Sequence, residues 1–482
     1  MIAYFFPPEG CAGTHRPLRF VRQLPKLGWQ PRVVSVSPYR YERYDPGLNS
    51  LVPSEIEVVR VRSRDPWQAI QGWREQRIRE KLSSASGDTL EHIRATYDSR
   101  FRSVIRDAVR TVETWCYRPD ITMGWIWPAV EATVGMCNRN RPTAIWATAG
   151  PVSSLIVAHR ASQRTGVPYV VDFRDPWTIA ADEFEAKCPA WLRLADRRAM
   201  YRVLKEARGV VFQSDTVAEC YWNAYRGAMD ASKIHIIPNG YEGTIDESTP
   251  AKGDNCTILY SGTLSYYRYD TLLQAISSLK QLSPILTKQL RVLFVGEDTE
   301  ALAKEAATLG LTDIVTTPGA VSYAEITRLE REAHAFLMLG QRPVKGYELY
   351  ASSKLFSYLK AGRPILGVLP SNEAKKILHR VGSSTVADVD SPLEIVSVLQ
   401  RILNAWSTGT LSSLLPNRAA CEVYSSERQT PALVRALEGT VAADPFVPGM
   451  VAIPPSLREE LALTNGSIAC GRRKSLRMPG LS

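Results

Sequence analysis

Short runs of β-branched and aromatic residues recur along the chain, each followed by a longer stretch whose apolar positions repeat every three to four residues. A strand buried on both faces reads as a continuous apolar run, while the helix crossing over it keeps one polar face, so this alternation predicts parallel sheets covered by helices. In the first half the runs 2–6, 32–36, 57–61, 144–147 and 169–172 predict strands, and 14–27 and 152–165 predict helices. In the second half 209–213, 234–237, 257–260, 291–295, 313–316, 335–339 and 364–368 predict strands, with helices over 271–282, 299–309, 323–333 and 353–361. The expected fold is α/β, with two doubly wound domains in tandem.

The division is expected between 188 and 207, where a Trp-, Arg- and Leu-rich helix over 191–204 follows the acidic stretch Asp182-Glu183-Phe184-Glu185. This gives domains 1–190 and 191–417, and a C-terminal helix over 418–443 that packs back toward the first domain. Residues 62–115 read as a helical insertion. Within it Trp67, Ile70, Arg74, Ile78 and Leu82 follow near-helical spacing beside Arg77, Arg79 and Lys81. Such a basic, Trp-bearing helix suits either packing on its own domain or lying on an anionic membrane surface. From 444 to 482 the pattern dissolves into Pro, Gly, Ser and a basic Gly471-Arg472-Arg473-Lys474 end, so this tail is expected to be disordered.

Composition narrows the class. With 482 residues, 45% of them hydrophobic and 22% charged, the chain is no collagen, small disulfide scaffold or wholly disordered protein. A net charge of +10 favours anionic partners without choosing among nucleotides, phospholipid surfaces and nucleic acid. Nucleic acid is disfavoured, because the basic residues are dispersed and no recognition module is visible. Eight scattered cysteines without Cys-x-x-Cys spacing read as reduced thiols with no zinc site. The start Met-Ile-Ala-Tyr-Phe-Phe-Pro-Pro shows no basic leader, and no apolar run reaches the ~18 residues of a membrane-spanning helix. The expected location is cytoplasmic, soluble or peripheral on the inner face of the cell membrane. Met1 falls where a first strand is already under way, so either that strand is short or the start is late.

Chemistry-bearing residues cluster where predicted strands end. The first strand runs into Pro7-Pro8-Glu9-Gly10-Cys11-Ala12-Gly13-Thr14-His15-Arg16 before a helix, where glycines let backbone N–H groups approach an oxyanion. The Gly-x-x-Gly spacing is not the three-glycine dinucleotide fingerprint, and a plain tight turn with Thr14 as N-cap stays open. The strand 169–172 ends in Asp172-Phe173-Arg174-Asp175-Pro176-Trp177, a polar cluster at the ligand-binding end of a parallel sheet, or else an Asp–Arg pair that holds the loop. Thr148 to Ser154 opens another helix at a strand end. In the second half Ser261-Gly262-Thr263 leads through Arg268 into a helix, and Arg268 is either a phosphate ligand or a solvated charge. Finally, Ser352 or Ser353 caps a short helix that Gly362 and Pro364 end. Lys354 in its first turn opposes the helix dipole, a conflict that a bound anion would remove.

These motifs together resemble glycosyltransferase family 4, retaining nucleotide-sugar-dependent enzymes of the GT-B fold, over most of the chain from Met1 to about Leu437. The parts are Phe-Phe-Pro-Pro…Gly-x-x-Gly-x-x-Arg, Asp-Phe-Arg-Asp-Pro-Trp, Pro-Asn-Gly, Tyr-Ser-Gly-Thr-Leu and Ser-Lys-Leu-Phe-x-Tyr-Leu-x-x-Gly-Arg-Pro-Ile. The resemblance implies two Rossmann-like domains facing each other across a cleft, and transfer of a hexose-like sugar from a nucleotide-sugar to a glycan or lipid-linked acceptor. The resemblance further implies a role in cell-surface polysaccharide synthesis. It places the donor site at Gly262, Arg268, Glu348, Ser353, Lys354 and Ser357, the N-domain glycine loop at Gly10, Gly13 and Arg16, and the catalytic polar cluster at Asp172, Arg174 and Asp175. Asp388-Val389-Asp390 is expected to lie away from these motifs, and no obligatory metal or other cofactor is expected. Three positions depart from the family pattern. Thr263 stands for a basic residue, and Leu349 and Ser357 stand for two glutamates, the second of which typically holds the ribose. A catalytically silent sugar-nucleotide or glycolipid-binding subunit of the same fold is therefore the alternative.

Overall fold

A computed structural model of the chain describes residues 1–38, 44–64, 118–174, 177–179, 188–250, 253–342 and 347–454, with 457, 458 and 461. The chain divides into two compact units, Met1–Ile237 with Pro431–Ser482, and Pro238–Thr430.

The first unit is built on parallel strands. β1 (Val33–Val36) pairs with β2 (Val58–Val61), while β3 (Ile145–Thr148), β4 (Tyr169–Phe173), β5 (Gly209–Phe212) and β6 (Ile234–Ile236) form a ladder in that order. Ile2 joins the two groups by parallel bridges to Val34 and Ala147. The expected strand over 2–6 is thus reduced to one bridge residue. Pro7 and Pro8 bring no N–H to a ladder, and the chain turns at once, the Glu9 amide bonding to the Phe6 carbonyl at 3.1 Å. Because the Ile2 segment lies between β1 and β3, the strand order reverses there and the glycine loop leaves from the switch point.

β5 and β6, expected to open the second domain, instead extend the first: Val170 pairs with Gly209, and Val210 with Ile234. The division therefore falls after Ile237 and not within 188–207. The helix Ala190–Glu206, whose composition suggested a boundary, is the crossover between β4 and β5; it buries Met200, Val203 and Leu204 and leaves Trp191 exposed. Leu433, Ala436 and Leu437 of the helix Ser426–Glu438 bury with Phe20, Trp146, Val170 and Val211. Residues 444–454, expected to be disordered, are placed: Phe446 is buried beside Trp222, and the Gly449 amide donates to Glu219 at 2.8 Å. The basic end 471–474 and all of the expected insertion from 65 to 115 lie outside the described residues.

In the second unit β7 (Cys256–Ser261), β8 (Leu290–Val295), β9 (Val315–Gly319), β10 (Ala335–Leu339), β11 (Ile365–Leu369) and β12 (Val386–Asp388) form one parallel sheet of order β12-β11-β10-β7-β8-β9. The order reverses between β7 and β10, so the loops after these two strands flank the switch point. Helices Asp270–Leu282 and Pro392–Ser407 cover one face, and Ser353–Lys360 and Glu373–Arg380 the other. The last strand and the helix over 392–407 were not anticipated, although Ser391-Pro392-Leu393-Glu394 carries a legible start signal: the Ser391 hydroxyl accepts from the Glu394 amide.

The helix Ser353–Lys360 ends as its sequence predicts. Ser352 is the N-cap, its Oγ 3.4 Å from the Lys354 amide, and Gly362 follows the last turn at φ +63°. A Cβ at Gly362 would also run into the Asp246 carbonyl. Gly362→Ala is expected to lower stability by more than about 1 kcal/mol, read as a lower denaturant midpoint at unchanged m-value.

Candidate functional site

Lys354 is positioned by the N-terminus of its helix, which directs the side chain back over the end of β7. Its Nζ donates to the Tyr260 hydroxyl at 2.9 Å and lies 4.4 Å and 4.6 Å from the ring centres of Tyr260 and Tyr267. Among the described residues no carboxylate pairs with it. Burial of the ammonium pulls its pKa down to about 8. The approach requires Gly262, at φ +123°: a Cβ there would meet Lys354 Cε at 2.5 Å and Nζ at 2.6 Å. Gly296, after β8, is needed for the same reason one layer further out, since its Cβ would collide with the Gly262 carbonyl. Two stacked glycines and two tyrosines thus build a seat for a cation at the switch point of the sheet.

The other donor-site expectations are distributed around this seat. Ser353 and Ser357 are exposed on the same helix. Glu348 is half-buried in the short turn Tyr347–Leu349, and Leu349 is fully buried, so the position where the family pattern has its first glutamate is an apolar one here. Arg268 is in place after β7, its amide donating to the Gly340 carbonyl that follows β10, but its charge is already answered. Its Nη2 donates to Asp390 Oδ1 at 2.7 Å, and Nε lies 3.9 Å from Asp270. The Asp388-Val389-Asp390 segment, expected to lie apart, is therefore beside the donor-site motifs, because β12 ends at the same sheet edge as β7 and β10. Asp388 is held by Lys375 at 3.0 Å, and the Asp390 amide, together with this pair, keeps its carboxyl below the usual range.

In the first unit the glycine loop and the end of β4 meet. Gly13 packs so closely that a Cβ would strike the Arg174 guanidinium and come within 2.7 Å of the Phe5 ring. Gly10 is half-exposed. Arg16 and Asp172, assigned to recognition and catalysis, form a buried bidentate pair instead, with both bonds at 2.8 Å and side chains 3% and 0% exposed. Arg16 also donates to the Ile237 carbonyl at 2.9 Å. Asp172 is thus an acceptor already filled by its own chain. Asp–Arg pairing was foreseen, with the partner misplaced: Arg16 comes from the helix after the glycine loop and not from Arg174. Arg174 stays at the loop surface, half-exposed, with its carbonyl held by Gln213. Asp175 lies outside the described residues. At the helix Ser153–Thr165, the N-terminal position that could take an anion is occupied by Asp120, which accepts from the Ser153 amide at 2.8 Å and its hydroxyl at 2.7 Å.

Tyr260, Tyr267, Gly296 and Asp390 were missed as site residues. The tyrosines stood inside a quoted motif, and their spacing around Gly262 was the available signal; nothing local in the sequence points to Gly296. Glu330 is a further carboxylate near the end of β7, with the Ser261 hydroxyl 3.5 Å away and burial raising its pKa.

Parallel sheets with ligand-competent loops at their switch points define a two-domain α/β protein of the GT-B kind. The fold is shared with the lipopolysaccharide outer core galactosyltransferase WaaB in its apo form, at 12% identity over 90% of this chain and 98% of that one, TM-score 0.51. It is shared equally with a sucrose-phosphate synthase from Thermosynechococcus elongatus, at 14% identity over 86% and 90%, TM-score 0.52. No curated protein matches the sequence. Residues 13–240 match the family model of the glycosyl transferase 4-like domain and residues 242–351 that of the glycosyl transferases group 1, and the chain belongs to these family 4-like glycosyltransferases. No described helix is long and apolar enough to cross a membrane.

Removing one side of the buried Arg16–Asp172 pair leaves an uncompensated charge. Asp172→Asn is expected to cost about 3–5 kcal/mol in thermal or denaturant unfolding, whereas replacing both residues by leucine costs markedly less.

Proposed function

We propose that the chain is a retaining glycosyltransferase that takes its sugar from a nucleotide-sugar and passes it to a glycan or lipid-linked acceptor, in the assembly of a cell-surface polysaccharide. The observation that carries this reading is the half-buried ammonium of Lys354 at a helix N-terminus, with no carboxylate paired to it among the described residues. Departure of a nucleoside diphosphate concentrates negative charge on the phosphate oxygens, and a preorganised cation with helix amides answers that charge without reorganisation. Lys354 takes the diphosphate, and Arg268 joins it by exchanging Asp390 for a phosphate oxygen. With these groups supplying the positive charge, no obligatory metal is needed. The incoming hydroxyl attacks on the face from which the diphosphate leaves, and the departing phosphate oxygen accepts its proton, which accounts for retention without a carboxylate nucleophile. Acceptor contacts fall to the first unit, around Gly13 and Arg174, and the basic stretch 67–82 suits a membrane-held acceptor on the inner face of the cell membrane.

The direct test is titration of UDP and GDP in the presence of EDTA. Binding of at least one, with loss of more than tenfold affinity in Lys354→Glu, is expected; no nucleotide-induced stabilisation, or an absolute need for metal, overturns the reading. Detectable nucleotide-sugar turnover separates an enzyme from a silent binding subunit.

Protonation gives a second check. The free Lys354 loses its charge as pH rises through about 8, so nucleotide affinity is expected to hold below pH 7 and to fall by up to about tenfold per unit above pH 8. A flat profile from pH 7 to 9.5 separates Lys354 from the anion. Asp390→Asn is expected to tighten nucleotide binding by up to about fivefold, the value of one exposed ion pair.

A further inference from the structure

The second unit carries a cavity that the transferase chemistry does not use. It has a volume of about 380 Å³, within the range of small-molecule sites. His334, just before β10, and Pro364, just before β11, line it, so it opens at the amino-terminal ends of the strands, whereas Lys354 lies at their carboxyl ends. Its walls are Ile245, Leu359, Trp406, Leu411 and Leu415, which make it mainly apolar.

One buried cation sits in this wall. Arg363 is 4% exposed; its Nη1 donates to the Ala361 carbonyl at 2.9 Å and its Nη2 to the Ser248 hydroxyl at 3.1 Å. Nε has no acceptor. The nearest carboxylate, Asp246, is 4.0 Å away, and its two oxygens already accept from the Ser248 amide and hydroxyl. Arg418, at the same cavity, is different, since Glu247 and Glu422 both pair with it. Arg363 is therefore a desolvated guanidinium whose charge the chain answers incompletely, set in an apolar wall. Burial lowers its pKa from the ordinary arginine value.

We propose that this cavity is a binding site for a small apolar monocarboxylic acid, whose hydrocarbon body packs against Trp406, Leu411 and Leu415 and whose carboxylate pairs with Arg363. A single carboxylate matches the one positive charge that this wall leaves incompletely paired. The apolar walls reject a sugar or a nucleotide, whose hydroxyls would lose their water without replacement. The site is separate from the proposed donor site and does not depend on that reading.

The test uses 3-phenylpropionate and its neutral counterpart 3-phenylpropanamide, titrated calorimetrically into the full chain. The expected result is one saturable site at which the acid binds at least tenfold tighter than the amide. Leu411→Trp, which fills the cavity, is expected to weaken the acid more than tenfold, and Ser412→Trp at the exposed rim does the same if the core variant fails to fold. Arg363→Gln is expected to bring acid and amide within twofold of one another. Absence of saturable binding to the unaltered protein, equal affinity for acid and amide, or undiminished binding in the folded tryptophan variants overturns the proposal. Nucleotide titration of the same samples reads the donor site independently, so loss of one activity is distinguishable from loss of the other.

Discussion

Lys354 rests on the rings of two tyrosines, half-buried and with no acid among the described residues to answer its charge, and the second unit is arranged around that approach. An ammonium out of water is costly, and the aromatic contacts return about 0.5–2 kcal/mol of that cost. Burial holds its pKa down to about 8. An anion at this point would supply the missing charge and complete the helix N-terminus at once. The surrounding sequence follows from the need to bring the ammonium in: glycine at 262 because a Cβ would occupy its place, glycine at 296 because the loop carrying Gly262 must itself be approached, and a short helix starting at Ser353 to aim the side chain.

The fate of each cation separates structural from functional charge. Arg16 is answered completely by Asp172 and contributes to the unit that holds the glycine loop against β4. Arg268 is answered by an acid at the surface, an arrangement a phosphate oxygen can displace at small cost. Among the described residues of the second unit, Lys354 has no carboxylate partner and Arg363 only a distant one at 4.0 Å, and the two lie at opposite ends of the same sheet. The transferase reading uses the first, and a separate acid site uses the second.

The departures from the family pattern take physical form in the same way. Leu349 is a core residue, so no glutamate belongs at that point of this fold, while Ser357 remains exposed beside Lys354 on the neighbouring turn and presents a hydroxyl where a carboxylate is usual. The two positions therefore bring no carboxylate to this end of the sheet, where Glu330 lies 3.5 Å from the Ser261 hydroxyl.

Much of this was determined by the sequence alone. The alternation of apolar runs predicts most of the strands, and Ser352 and Gly362 mark the ends of one helix to within a residue because capping is a local property of backbone and side chain. Lys354 is conspicuous for the same reason, since a cation in a first helical turn conflicts with its own helix. Only the tertiary structure decided where strands β5 and β6 belong, that Asp172 is spent on Arg16, and that Asp390 covers Arg268. Those pairs lie 156 and 122 residues apart. Periodicity and capping act over a few residues, whereas the partner of a charge is chosen by which strand ends the sheet order brings together, and that order is a property of the folded chain.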